Sequence, residues 1–334
     1  MTPFLDALSL LLVYSAIAIY AAAFVAYTLH LARRASTPAV PATARVPVTT
    51  GAGATTDPDL AGTPADTSPT ADAAPGAAAP GGGRRAGKAA RVGFALTVLG
   101  WVFHLAGVVL RGVAADRVPW ANMFEFSLTG TALIIAAFLA VSLRVRLAYL
   151  GSAVLGLTVL LLGVAAVSFY VPVVPLMPAL QSGWLVIHVL VALLATAFFG
   201  LAFLVSLTYL LTTRRGPGHS GRLTRLRDSL PGPDDLDRLA YRLTIVGFIL
   251  WTFTLIAGAI WAGRAWGRFW GWDVKEVWTF IIWVLYAGYL HATATRGWAG
   301  TRAAWLCIVG FAAVLFNFGV VNVFFTGLHS YSGL

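Results

Sequence analysis

The chain has 334 residues, 59% of them hydrophobic and only 11% charged, and a mean hydropathy of +0.81. A soluble domain of this size carries roughly 25% charged residues, so this composition excludes a water-soluble core and makes a bilayer the expected solvent. The formal net charge of +10 would suit a nucleic-acid binder, but the distribution of the basic residues along the chain points to membrane topology.

A hydrocarbon core of ~30 Å needs ~20 apolar residues per helix. In chain order this predicts spans at Phe4–Leu31, Val92–Val113, Phe124–Leu143, Leu147–Val171, Trp184–Thr212, Leu239–Ala262, Val274–Ala294 and Ala303–Phe325. A β-barrel would show ~10-residue alternating segments, and none is visible. The reading is therefore an all-α integral membrane protein with about eight transmembrane helices. The first span lacks a basic leader, exceeds 25 residues and is followed by Arg33-Arg34, so a retained anchor is expected over a cleaved signal. With Arg33 and Arg34 placed inside, all of the 23 Lys and Arg fall on the cytoplasmic side except Arg111, Arg117, Arg264, Arg268 and Lys275. That is the positive-inside bias, and it puts both termini outside.

Residues 35–90 are almost entirely Ala, Pro, Gly, Thr and Asp, with no Trp, Tyr, Phe, Ile or Met. Such a stretch cannot bury enough apolar surface to fold. It is expected to be a disordered cytoplasmic linker joining an N-terminal helix, residues 1–34, to a seven-helix core, residues 91–334. The basic loop at 213–238 carries Asp234, Asp235 and Asp237 ahead of the sixth span, where acids suit a helix N-terminus. The loop at 171–183 holds three prolines and is expected to be extended. Cys307, the single cysteine, excludes an internal disulfide and a Cys-based metal site, leaving small core filler as its expected role.

The stretch FWGWDVKEVW, residues 269–278, sets Asp273, Lys275 and Glu276 among tryptophans, and six of the twelve tryptophans lie between Trp261 and Trp283. One reading is an interfacial aromatic belt. The other is a rigid aromatic surface with fixed charges, suited to a large planar, partly apolar ligand bearing carboxylates. His188 and His329 both belong to the outer side and bracket this loop in sequence. His291 lies near the inner end of the seventh span, and His104 is within the second. His30 and His219 are expected to be solvated. Ionisable residues inside a bilayer mark function by default, while a hydrogen-bonded core role stays open for each histidine. Imidazole is the usual neutral axial ligand of haem iron.

WGWDVKEVW with the preceding AWGRF resembles the tryptophan-rich WWD motif of haem-handling proteins in cytochrome c maturation. VPWANMFEF, GWLVIHV, WDVKEVWTFIIWVLYAGYLHATATRGW and NVFFTGLHSYSG are similar to the CcsA/ResC-type proteins of the system II pathway, called CcsB in actinobacteria. The resemblance covers roughly residues 91–334. It implies a membrane subunit of a holocytochrome c synthase at the plasma membrane, which exports haem and presents it to the CxxCH motif of apocytochrome c. It further implies a ResB-type membrane partner with a large outer domain and a cargo of haem b before transfer. By the same resemblance, His188 and His329 ligate haem iron at the outer face and His291 ligates it within the membrane. Trp266, Trp270, Trp272, Asp273 and Trp278 are the implied haem-contacting residues, and His104 is a further histidine of the set, open between ligand and packing residue. Arg264, Arg268 and Lys275 are candidate propionate partners, although Lys275 has Asp273 and Glu276 as alternative partners. Asn122 and Glu125 are either helix-end groups or part of the outer site. Two other functions compete: a transporter of haem or another amphipathic anion without ligation activity, and a haem b subunit of a quinone-linked electron-transfer complex.

Overall fold

In the computed structural model the described residues are 2–36, 87–173, 182–213, 222–295 and 298–329. Most of the linker expected at 35–90, His219 and most of the three-proline loop lie outside them. Among the described residues all regular structure is helical. The elements are α1 (Thr2–Ser36), α2 (Lys88–Ala115), α3 (Met123–Ser142), α4 (Gly151–Ser168), α5 (Gly183–Thr213), the short α6 (Arg222–Asp228), α7 (Pro233–Trp266), α8 (Val274–Ala294) and α9 (Thr301–Phe316). A π-helical segment, Asn317–Val321, and a last turn, α10 (Asn322–Phe324), follow α9.

Eight of these stretches are long and apolar enough to cross a membrane, and they match the eight expected spans in order. Their outward faces carry large apolar side chains, including Phe4, Leu160, Val167 and Ile249. Facing water these would be a liability; facing lipid they are in their proper solvent. The expected boundaries shift where local chemistry overrides hydropathy. α7 begins at Pro233, with Asp234 and Asp235 in its first turn, because proline is preorganised for a helix start and acids complement the dipole there. α4 is shorter than its apolar run, since Leu147–Leu150 form a turn before it.

Two sets of helix contacts dominate the bundle, joined through α3. α1 packs against α2 and α4, while α5 packs against α7, α9 and α3, and α8 lies against α9 and α7. Small residues let α1 and α2 approach closely. Gly93, Gly100 and Gly107 recur every seven residues on α2 and meet Tyr27, Tyr20 and Val13 of α1, also seven apart. A Cβ at Gly100 would lie only 2.7 Å from the Tyr20 ring. Close backbone approach through small residues is how helices associate in lipid, where no hydrophobic force draws them together. In the other set, Phe199 of α5 stacks on Tyr286 of α8, with centroids 3.6 Å apart. Cys307 is buried on α9, as a small filler would be. His30, expected to be solvated, is instead buried, with Gly87 at the start of α2 packed against its ring.

At the end of the bundle where α1 starts, a buried ion network ties four segments together. Arg111 and Glu125 are both fully buried. Arg111 Nε donates to Glu125 Oε1 at 3.1 Å, its Nη2 donates to the Val171 carbonyl at 2.7 Å, and its Nη1 pairs with Asp6. Arg117 Nη1 reaches Glu125 Oε2 at 2.7 Å, and the Ala121 amide donates to the same oxygen. Asn122 caps α3 by accepting from the Glu125 amide at 2.9 Å. Asn122 and Glu125 are thus helix-end and network residues. Removing one partner of a buried ion pair typically costs about 3–5 kcal/mol, because the survivors stay desolvated and unpaired. Glu125→Ala is accordingly expected to lower the melting temperature in detergent sharply, and an unchanged melting curve would refute the network's structural role.

Candidate functional site

The loop between α7 and α8 owes its shape to its charges. Asp273 is the N-cap of α8: it accepts from the Lys275 amide at 2.9 Å. Glu276, three residues on, reaches back to the Asp273 and Gly271 amides at 3.1 and 2.8 Å, completing a capping box. These bonds satisfy donors that a helix start otherwise leaves bare. The second Asp273 oxygen accepts from the Leu328 amide at 2.8 Å, and Oδ1 lies 3.6 Å from His329 Nδ1. Asp273 therefore fastens the segment after α10 to the start of α8 and lies beside the His329 ring. Trp272, immediately before the cap, has φ 59°, in the left-handed region that side chains other than glycine avoid. Such residues concentrate at functional sites.

Behind this loop lies one large cavity, with a volume of ≈ 290 Å³. A single water needs only ~10–15 Å³ on such a measure, so this is a ligand-sized space and no packing defect. Its walls come from α3, α4, α5, α7, α8, α9 and the π-helical segment with α10, and they are mostly apolar. His188 and His329 both line it, with Trp120, Trp261, Trp270 and Lys275. A relay of rings runs from one histidine to the other. His188 lies 6.0 Å from Trp261, Trp261 lies 5.2 Å from Trp266, and Trp266 meets His329 edge-on at 4.8 Å, centroid to centroid.

Each histidine has a defined setting. The Thr254 backbone lies alongside the His188 ring, and the buried Nδ1 has no hydrogen bond among the described residues. Burial holds the His329 imidazole below its ordinary pKa, against the opposing pull of Asp273. A neutral ring has a lone pair to give to a metal. Gly258 of α7 makes room for His188. A Cβ there would lie 2.7 Å from His188 Cε1 and 3.2 Å from Nδ1. In a helix interior Gly→Ala is favourable by about 1 kcal/mol on propensity alone. Gly258→Ala is therefore expected to leave the melting temperature intact while displacing the His188 ring; an unshifted His188 imidazole NMR signal would contradict this placement.

The remaining expected residues are dispersed. Trp266 belongs to the ring relay, while Trp278 packs on Phe316 at 4.3 Å, away from the cavity. The Trp272 ring is 76% exposed and stands edge-on to Trp270 at 5.8 Å. Arg264 covers the Trp184 ring at 5.2 Å, and Arg268 lies across Gly271, 3.9 Å from Glu276. His104 is fully buried, its Nδ1 3.3 Å from the Tyr20 hydroxyl. His291 is exposed on the last turn of α8. The helix of His104 packs mainly on α1 and α3, and that of His291 on α7 and α9, so the two histidines belong to different parts of the bundle. Trp120, Trp261, Gly258 and Asn317 are cavity residues that the sequence reading did not single out as ligand contacts.

Residues 118–329 match the family model described as "Cytochrome C assembly protein". The chain belongs to that family. The matched region contains the whole cavity wall, from Trp120 to His329, and omits α1 and α2. The chain is 41% identical over 175 residues to the cytochrome c biogenesis protein CcsA of Prochlorococcus marinus (strain AS9601), covering 47% of this chain and 56% of that protein. It is 39% identical over 176 residues to CcsA of Parasynechococcus marenigrum (strain WH8102), covering 47% and 58%. CcsA of Prochlorococcus marinus (strain MIT 9515) is 40% identical over 173 residues, covering 47% and 55%. The chain thus spans little more than half the length of these curated relatives. Among solved structures, the cytochrome c haem lyase CcmF superposes with a TM-score of 0.53 at 19% identity, covering 70% of this chain and 41% of that one. At that identity the likeness concerns the fold. Membership of the cytochrome c assembly family makes haem the ligand class to test against the cavity. The fit is good: two histidines on one apolar space, a buried imidazole nitrogen with no hydrogen bond among the described residues, and flat indole walls.

Proposed function

We propose that this chain is the haem-handling membrane subunit of a system II cytochrome c synthase. In this reading haem b is held between His188 and His329 at the extracytoplasmic face of the plasma membrane and presented to the CxxCH motif of apocytochrome c. The observation that carries it is the convergence of both histidines on one indole-walled cavity. Thioether formation adds each cysteine S–H across a vinyl C=C, with no net redox change. Such a reaction asks mainly for positioning. Trp261 and Trp270 limit the tilt of a planar cargo, Asp273 ties the segment carrying His329 to α8 through the Leu328 amide, and the apolar walls exclude water.

The test is haem transfer to a synthetic CxxCH peptide by the chain purified together with a ResB-type partner. Thioether-linked product is expected from the complex. Haem-loaded protein that never modifies the peptide would favour a transporter without ligation activity.

His291 is proposed to ligate a second haem in the membrane with an axial partner from the ResB-type protein. Supporting this, His291 shares one outward face of α8 with Phe280, Val284 and Gly288. Axial imidazole nitrogens on one iron are only ~4 Å apart, given metal–nitrogen bonds of about 2 Å. His104, about twelve residues (~18 Å) from the cytoplasmic end of its span, and His291, about four residues (~6 Å) from the cytoplasmic end of its own, differ in depth by roughly 12 Å at 1.5 Å per residue. In the complex, His291→Ala is expected to abolish one haem signal while His104→Ala retains both. Loss of that signal in His104→Ala would overturn the assignment.

A further inference from the structure

The cavity wall contains a single Lys or Arg among the described residues, Lys275. It sits two residues into α8, beside the His329 end of the cavity. A cation placed against apolar walls is costly unless an anion meets it. Asp273 adds some attraction at a distance, but neither carboxylate next to it in sequence makes a direct ion pair with it among the described residues. Asp273 is committed to the Lys275 and Leu328 amides and to His329. Glu276 is committed to the Gly271 and Asp273 amides, with Arg268 nearby. Lys275 makes no ion pair within the described residues; its Nζ donates to the Asn322 amide oxygen. An ammonium has three donors, so two remain for a ligand.

A second observation points to the same place. The last membrane helix loosens into its π-helical segment at Asn317–Val321, a distortion found mostly at functional sites. It brings Asn317 and Asn322 onto the cavity wall with Lys275. Asn317 is only 5% exposed, and its side-chain oxygen makes no hydrogen bond among the described residues. An amide can present either of its ends, so this buried group is available to a polar ligand atom.

We propose that Lys275, supported by Asn322 and Asn317, is the carboxylate-binding subsite of the cavity and orients a planar, carboxylate-bearing ligand with its acid edge against the start of α8. The inference rests on the haem reading above and deepens it. With haem as cargo, the two propionates occupy this corner near His329, and the vinyl-bearing part of the porphyrin is turned away from the cation. Lys275 is then a specificity-determining residue that selects which edge of the ring is offered to the peptide thiols.

The test titrates the purified chain, with its partner, with haem and with haem dimethyl ester, in which both acids are masked. Absorbance gives the affinity for each. Wild type is expected to prefer the free acid by at least about tenfold, the scale of a charge-assisted hydrogen bond. Lys275→Met should bind both alike, near the wild-type affinity for the ester, and Lys275→Arg should keep a preference for the acid. Melting curves of the variants separate lost recognition from lost folding, and a structural role alone would not erase an acid-over-ester preference. Equal binding of both porphyrins by wild type, or an intact preference in Lys275→Met, overturns the inference while leaving the haem reading in place. Failure of wild type to bind either porphyrin overturns both.

Discussion

Replacing either His188 or His329 by alanine is expected to lower holocytochrome formation by more than about tenfold, since even outer-shell partners of metal ligands are worth ~10–100-fold. The two rings line one cavity from different elements, His188 on α5 and His329 after α10, so under the proposed ligation each single loss would leave one side of the iron without its histidine. Added imidazole should restore part of the activity by filling the vacant position. Neither substitution removes a core contact on the scale of the Phe199–Tyr286 stack, so the melting temperature should change little. Wild-type holocytochrome yield from both single variants would refute the paired-ligand account.

Asp273→Ala is expected to have the second largest effect, and for a reason other than charge on a ligand. It deletes the α8 cap, worth ~1 kcal/mol, and also releases the Leu328 amide and the His329 ring. If His329 ligates haem as proposed, the carboxylate beside it is an outer-shell partner, so haem retention should fall by ~10–100-fold. Asp273→Asn should fall in between, because its amide oxygen can still cap the helix. Haem titration with a parallel melting curve checks this: loss of stability with unaltered haem affinity would reduce Asp273 to a cap.

These two residue classes show how differently the sequence spoke about fold and site. Eight spans were legible because apolar side chains must face lipid wherever they sit along the chain, and hydropathy reports that without knowledge of packing. Helix ends were less legible. Pro233 and the acids after it extend α7 beyond its apolar run, and nothing in the composition of NFGVV marks a π-helical turn. Within the site, the histidines and tryptophans stood out as unusual residues in a greasy chain. Their division of labour did not. Asp273 and Glu276 form a capping box whose D-x-x-E spacing is visible in the sequence, yet beside several indoles it suggests ligand chemistry. The role of Gly258 depends on a ring supplied by α5 from far back in the sequence, and such a pairing has no local signature. Lys275 had several candidate partners on paper, and only the fold shows that its neighbouring carboxylates are occupied.

The central claim is that one haem is held between His188 and His329, and absorption and electron paramagnetic resonance spectra of the haem-loaded chain test it most directly. Wild type should give a low-spin, bis-imidazole signature in the outer site. His188→Ala and His329→Ala should each convert it to a weaker or high-spin species that returns to low spin on adding imidazole. A bis-imidazole signal that survives both single substitutions unchanged would contradict the account.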